Sequence, residues 1–184
     1  MRNSTKIQVG IGIATAAVAA FALIGPLNRH PVGNRNVPEP AKAVDLRRYL
    51  GRWFEIARYD QRFERGCEAA TADYALRDDG RIDVVNRCRK SDGRLEEARG
   101  IAKIVDAETN AKLKVSFFGP FFGNYWILDH SDDYSWSIVG EPSGRYLWIL
   151  SRAPNPGGEE LRRLVNRASA IGYDTSMLIF DKHS

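Results

Sequence analysis

The chain has 184 residues, of which 43% are hydrophobic and 27% are charged, with a formal net charge of +4. These values suit one globular domain of ordinary size with its own hydrophobic core. Lysine and arginine form no block that is interleaved with aromatic residues, so a nucleic-acid partner is not indicated.

The N-terminal segment, residues 1–30, differs from the rest of the chain. After a basic start, residues 7–24 carry no charge. This run is short for a bilayer-spanning helix and slightly long for a signal-peptide core, and 20–22 offer an A-x-A cleavage site. We expect a separate apolar helix that is either a signal peptide or an N-terminal membrane anchor. Both alternatives predict an exported protein on the periplasmic or cell-envelope side, held at a membrane or released by cleavage. No cysteine lies directly after the run, so we do not expect a lipobox lipoprotein.

Residues 31–43 are rich in proline, asparagine and glycine, which predicts a Pro-rich tether. The folded domain is predicted at 44–184. It contains eight short apolar or alternating runs separated by polar turns, which is typical of antiparallel strands joined by hairpins. The runs are 52–59, 68–77, 81–88, 98–106, 111–118, 124–131, 134–141 and 145–152.

The pattern changes after residue 154. Leu161, Leu164, Val165 and Ala168 form one apolar stripe at helical spacing. One helix cannot cover both faces of eight strands, whereas a sheet closed on itself needs no such cover. We therefore predict an all-β barrel with one C-terminal α-helix packed outside, with a two-sheet sandwich as the alternative.

Three ordered motifs carry a resemblance to a known family. GRWFEIARYDQRFERG (51–66) contains Gly-x-Trp, YWILDHSDDYSW (125–136) contains Asp-Asp-Tyr, and YLWILSRAPNP (146–156) contains an arginine. Together with YxLRDDGxIxVxN (74–86) they resemble the lipocalins, and within them the bacterial lipocalin and apolipoprotein D-like branch. The resemblance implies an eight-stranded antiparallel up-and-down barrel, the lipocalin calyx, open at one end and holding one small apolar ligand. The bacterial members are usually outer-membrane lipoproteins, and this chain lacks their lipobox cysteine.

In such a barrel Gly51, Trp53 and Arg152 would meet at the closed end, where the guanidinium covers the indole ring and closes the floor. Since side chains alternate along a strand, an inward Arg152 also predicts which residues face the interior. The candidate ligand-binding residues are Tyr74, Phe117, Tyr125, Tyr146 and Trp148. The alternative is that these side chains simply fill the barrel as its core.

The stretch SFFGPFFGNYW (116–126) combines six aromatic residues with glycine and proline and carries no charge. Strand order places its turn at the open end of the barrel. An exposed apolar patch there would act as a ligand gate, or as a contact with a membrane or a second copy. The alternative is that the phenylalanines pack inward onto the rim.

Cys67 and Cys88 are the two cysteines of the chain, and an even count in an exported protein favours a disulfide. Their positions in a hairpin are close but not directly opposite, so the pair would need a bulge. No metal-ligand spacing, nucleophile motif or phosphate loop is present, so we expect no catalytic residues, no metal and no cofactor.

The predicted function is to carry or store a small hydrophobic ligand for lipid transport or membrane maintenance. The resemblance implies a fatty acid or a lysophospholipid, whose head group Arg58, Arg62 and Arg65 near the first mouth loop could meet. Two alternatives stay open: a membrane-held protein-interaction module with a filled barrel, and a lipocalin enzyme that depends on Cys67. A membrane contact through the N-terminal segment and a homodimer are the other partners considered.

Overall fold

The computed structural model describes residues 31–183, and these residues confirm the predicted barrel. Eight antiparallel strands follow one another around it in chain order, and β1 pairs with both β2 and β8, which closes the sheet. A short ninth strand pairs with the upper part of β1, on the side where the lower part pairs with β2. The strands are β1 Gly51–Tyr59, β2 Cys67–Leu76, β3 Ile82–Lys90, β4 Leu95–Ile104, β5 Lys112–Phe118, β6 Phe121–His130, β7 Trp136–Gly140, β8 Leu147–Ser151 and β9 Leu178–Phe180.

Two helices pack against the barrel: α1, Leu46–Tyr49, and α2, Gly158–Ala170. Short 3-10 turns lie at Arg62–Glu64 and Thr175–Met177. The apolar stripe of α2 buries Leu164 and Ala168 in a cluster with outward-facing side chains of the barrel strands. A second cluster lies inside the barrel. The predicted C-terminal helix is therefore confirmed on the outside, because only the outer faces of the strands are free to receive it.

The closed end of the barrel is built around Arg152. Gly51, with φ of 89°, turns the chain from α1 into β1, a conformation that favours glycine. The Cζ atom of Arg152 lies 3.8 Å from the centroid of the Trp53 ring. Its Nη2 atom donates to the carbonyl oxygens of residues 48–50 at 2.8–3.0 Å. Arg152 thus joins the end of β8, the start of β1 and the C-terminal end of α1.

The β1–β2 ladder covers only the lower part of the two strands and leaves a gap above it, which we call the seam. Their ladder ends at Phe54 and Thr71, and the upper part of β1 pairs with β9 instead. One carboxylate oxygen of Asp181 accepts a hydrogen bond from the backbone N–H of Ala70 at 2.7 Å. Residues 178–183, which we call the C-terminal tail, therefore fill the seam and complete the barrel wall.

Residues 31–43 contain no helix or strand and lie against the barrel. The backbone N–H groups of Gly33 and Asn34 donate to the carbonyl oxygen of Gly144 at 2.9 and 3.1 Å. The side chain of Asn34 donates to the carbonyl oxygen of Ile171 at 3.0 Å, and only 4% of this residue is exposed. The segment predicted as a tether is thus anchored to the β7–β8 loop and to the end of α2.

The signal peptide or membrane anchor predicted at 1–30 lies outside the described residues. Among residues 31–183, no helix combines the length and the apolar character needed to cross a bilayer.

We expect Arg152→Ala to lower the free energy of unfolding by about 2–4 kcal/mol, because it removes a cation–π contact and several charge-assisted hydrogen bonds. Urea unfolding followed by circular dichroism measures the change. Arg99→Ala is the matched control, since Arg99 is largely exposed and forms an exposed ion pair with Glu97, and its cost should stay below about 0.5 kcal/mol. Equal losses in the two variants would contradict the role given to Arg152.

Candidate functional site

An open cavity of about 110 Å³ occupies the barrel between the closed end and the opposite, open end. The strand directions place the loops 60–66, 91–94, 119–120 and 141–146 at the open end. The lining residues are Glu55, Phe63, Glu64, Ala70, Thr71, Ala72, Tyr74, Val84, Asn86, Arg87, Cys88, Glu96, Glu97, Ala98, Val115, Phe117, Asn124, Tyr125, Trp148 and Leu150.

The structure places four of the five candidate ligand-binding residues on the cavity wall: Tyr74, Phe117, Tyr125 and Trp148. The fifth, Tyr146, does not line the cavity, although it is buried in the cluster inside the barrel. Its ring centroid lies 5.9 Å from that of Trp148 and 6.3 Å from that of Phe63, both in stacked geometry. Tyr146 precedes β8, which starts at Leu147, so it lies outside the strand whose alternation was used to place it, and its role in ligand binding stays a prediction.

The room inside the barrel comes from small side chains on β2. Ala70 and Ala72 share the inner face of this strand with Tyr74, and all three line the cavity. An alanine pair opposite aromatic walls leaves space that larger residues would fill, since small barrels can be packed solid or hold a ligand. The cavity therefore exists because alternate positions on the inner face of β2 carry small side chains.

Three tyrosines form a layer across the lower barrel. The hydroxyl oxygen of Tyr125 lies 3.0 Å from those of Tyr74 and Tyr49, and the Tyr49 hydroxyl lies 3.3 Å from Oγ of Ser137. Burial raises the pKa of Tyr49 to about 12 and also raises the pKa of Tyr74 and Tyr125. The layer is therefore uncharged and internally hydrogen-bonded.

A charged cluster lies at the upper level of the cavity. Arg58 forms ion pairs with Glu55 (Nη1–Oε1, 3.0 Å), Glu64 (Nε–Oε2, 3.1 Å) and Asp181. Only 3% of Arg58 is exposed, and its Nη2 atom also donates to the carbonyl oxygen of Cys67 at 3.1 Å. The suggestion that Arg58 meets a ligand head group at the rim is wrong, because carboxylates already surround its guanidinium. Arg62 and Arg65 are exposed on the mouth loop.

One guanidinium cannot neutralise three carboxylates, and the protonation of the cluster reflects this. Burial raises the pKa of Glu55 well above its ordinary value, and the charges of Glu64 and Asp181 raise it further. Burial also raises the pKa of Glu64 from 4.5 to about 7, against the opposing effect of Arg58. Sequence reasoning missed this cluster because Asp181 comes from the C-terminal tail, and no local spacing links it to Arg58.

The predicted disulfide between Cys67 and Cys88 is confirmed, with 5.6 Å between their Cα atoms. In the β2–β3 ladder Cys67 lies opposite Lys90 and Ala70 lies opposite Cys88, with a bulge between. This is the bulge that the offset of the two positions required. A bonded cysteine cannot act as a nucleophile, so the Cys67-dependent enzyme loses its reactive group.

The aromatic stretch 116–126 divides between the interior and the surface. Phe117 lines the cavity, whereas Phe118 and Phe121 point outward and are 41% and 52% exposed. The ring of Phe122 lies 4.5 Å from Nζ of Lys103. One phenylalanine therefore lines the cavity, and two lie exposed on the outer rim beside the mouth.

Within residues 31–183, no group of three or more histidine, cysteine, aspartate and glutamate side chains could hold a metal ion. The cavity instead combines aromatic and aliphatic walls with carboxyl groups at one level. Such a site can hold an apolar chain and orient a polar head.

Known proteins resemble this chain in sequence and in fold. The family described as "Lipocalin-like domain" matches residues 44–183. Outer membrane lipoprotein Blc of Escherichia coli (strain K12) is 41% identical over 169 residues, which is 91% of this chain and 94% of that protein. Apolipoprotein D of Mus musculus is 32% identical over 147 residues, 74% of this chain and 76% of that protein. Insecticyanin from the tobacco hornworm Manduca sexta has the same fold, with a TM-score of 0.66, 23% identity and coverage of 84% of this chain and 88% of that chain.

We expect the stability of the protein to fall as the pH rises from about 4.5 to about 7 through the titration of Glu64. Because its pKa is higher in the folded than in the unfolded state, the folded state binds the proton more tightly between these values. Glu64→Gln should flatten this part of the profile of urea midpoint against pH. Glu108→Gln, on an exposed turn, is the matched control and should retain the wild-type slope. An unchanged slope in Glu64→Gln would show that this carboxyl group is not the source.

Proposed function

Because this chain belongs to the lipocalin family, in its bacterial lipocalin and apolipoprotein D-like branch, we propose that it binds a single-chain lipid in the barrel cavity and carries or stores it. Lipocalins are generally binding and transport proteins for small hydrophobic ligands, and they are not generally enzymes. The proposal narrows this general role to one class of ligand.

The open cavity carries the proposal. Its walls include aromatic and aliphatic side chains, with Val84, Val115, Phe117 and Leu150 among them. An acyl chain gains about 0.8 kcal/mol for each methylene it buries in such surroundings. Glu64 reaches the cavity from the mouth loop 60–66, which supports a tail-inward orientation with the head near the open end. A cavity of this kind also argues against the filled-barrel interaction module.

The charged cluster determines which head-group charge the site favours. Glu55, Glu64, Glu96 and Glu97 line the cavity and outnumber its two arginines, Arg87 on the wall and Arg58 between Glu55 and Glu64. A free carboxylate beside the ionised form of Glu64 would meet like charge, whereas the ammonium group of a zwitterionic lipid would be attracted. The exposed Arg62 and Arg65 on the mouth loop suit a phosphate. These features favour a lysophospholipid over an ionised fatty acid.

We place the protein at the cell envelope. The relative that is 41% identical is named as an outer membrane lipoprotein, and residues 1–30 have the pattern of a signal peptide or membrane anchor. A lipid carrier on a membrane can collect single-chain lipids there, which suits a role in lipid transport or membrane maintenance. The exposed Phe118 and Phe121 at the mouth would then face the lipid surface or a second copy.

We expect a lysophospholipid to quench the tryptophan fluorescence of the full, lipid-stripped chain in a saturable way at micromolar concentration or below. Trp148 lies on the cavity wall and should supply most of the signal. Trp148→Phe should therefore lose most of the change. Trp136→Phe, whose tryptophan packs outside the barrel, is the matched control and should keep it. If no single-chain lipid gave a saturable change, the carrier function would be wrong.

We also expect the affinity for a permanently anionic amphiphile, decanesulfonate, to fall about tenfold between pH 6 and pH 8, as one more carboxyl group ionises near the head. Affinity for a lysophosphatidylcholine should change much less. Glu64→Gln should reduce the pH dependence for the sulfonate, and isothermal titration calorimetry measures all three. A sulfonate that binds equally well at both pH values would remove the preference against anionic heads.

A further inference from the structure

The barrel interior contains a second, smaller void below the main cavity, of about 10 Å³. Its walls are apolar side chains from α1 and from the lower strands, with one tyrosine of the layer. They are Leu46, Tyr49, Leu50, Ile82, Ala102 and Leu113. Three further residues, Tyr74, Val115 and Tyr125, face both the void and the cavity above it. The two tyrosine rings thus lie between the small apolar void and the cavity above it.

Ring packing and hydrogen bonds hold this partition in place. Tyr125 is bonded to Tyr74 on one side and to Tyr49 on the other, each at 3.0 Å between hydroxyl oxygens. The rings of Tyr74 and Tyr125 meet edge to face with 6.2 Å between centroids. Because the hydroxyl groups already have partners, the layer needs no polar group from a ligand. A ligand tail that crossed it would have to break these bonds.

We propose that Tyr74 and Tyr125 form the floor of the ligand site. They set the acyl-chain length beyond which an added methylene no longer increases the affinity. This inference rests on the proposed function. Each methylene buried above the floor contributes about 0.8 kcal/mol, which is about a fourfold gain in affinity. Once the tail reaches the two rings, a further methylene finds no room, and the gain stops.

Three variants separate the floor from the rest of the site. Tyr74→Ala removes one ring and joins the small void to the cavity. Tyr74→Phe removes only the hydroxyl group and keeps the ring, so it is the matched control. Adding Ala102→Leu to Tyr74→Ala refills the lower void, because Ala102 lines only that space.

The test is a titration of the full, lipid-stripped chain with saturated lysophosphatidylcholines from octanoyl to stearoyl, kept below their micelle concentrations. Wild type and Tyr74→Phe should gain about fourfold per methylene up to a limit and then show a plateau. Tyr74→Ala should continue to gain past that limit, by about tenfold or more for the longest chains. Tyr74→Ala with Ala102→Leu should return to the wild-type limit.

The outcomes are distinct. Binding by the wild type without a plateau, or the same plateau in Tyr74→Ala, would overturn the floor while leaving the carrier function in place. Absence of binding to every chain would overturn the carrier function and the floor with it. Circular dichroism and the urea midpoint show whether each variant is folded, and Tyr125→Leu provides a second way to open the layer if Tyr74→Ala does not fold.

Discussion

The stacking of the Arg152 guanidinium on the Trp53 ring is the contact on which the closed end depends. The same guanidinium donates to backbone carbonyl oxygens at residues 48–50, where α1 ends and its carbonyl groups lack helical partners. One side chain thus fixes β8, β1 and α1 relative to one another. With that end sealed, the interior opens to solvent in one direction only. The cavity, its mouth and the order of groups along its depth all follow from this closure.

Depth organises the chemistry of the interior. At the bottom the hydroxyl groups of three tyrosines satisfy one another, and the surroundings are otherwise apolar. Near the mouth, carboxyl groups gather around Arg58 at a cost in desolvation that raises the pKa of Glu55 and Glu64. A lipid bound as proposed would place its head beside these groups and its tail against the apolar walls. An amphiphile with its head at the mouth matches this gradient, whereas a molecule that is polar at its inner end does not.

The sequence allowed the barrel, the outer helix, the disulfide and four residues on the cavity wall to be predicted, because these depend on local periodicity and on motifs that are contiguous in the chain. Tyr74 and Trp148 lie on inner faces that alternation identifies. The rest depends on contacts between distant segments. Asp181 reaches Arg58 only because the C-terminal tail enters the seam, and Asn34 is buried only because it meets Gly144 and Ile171. No sequence pattern within a single strand or helix predicts such contacts between distant segments.

The filled seam has a consequence for the order of folding. The upper parts of β1 and β2 are bridged by residues 178–183, which lie more than 100 residues further along the chain. Until these residues have joined the barrel, its wall keeps a gap and Arg58 lacks one of its carboxylate partners. Completion of the wall thus couples the C-terminal tail to the first strand. A fusion partner placed directly after the C-terminal tail would hinder its insertion into the seam more than a partner placed ahead of the barrel.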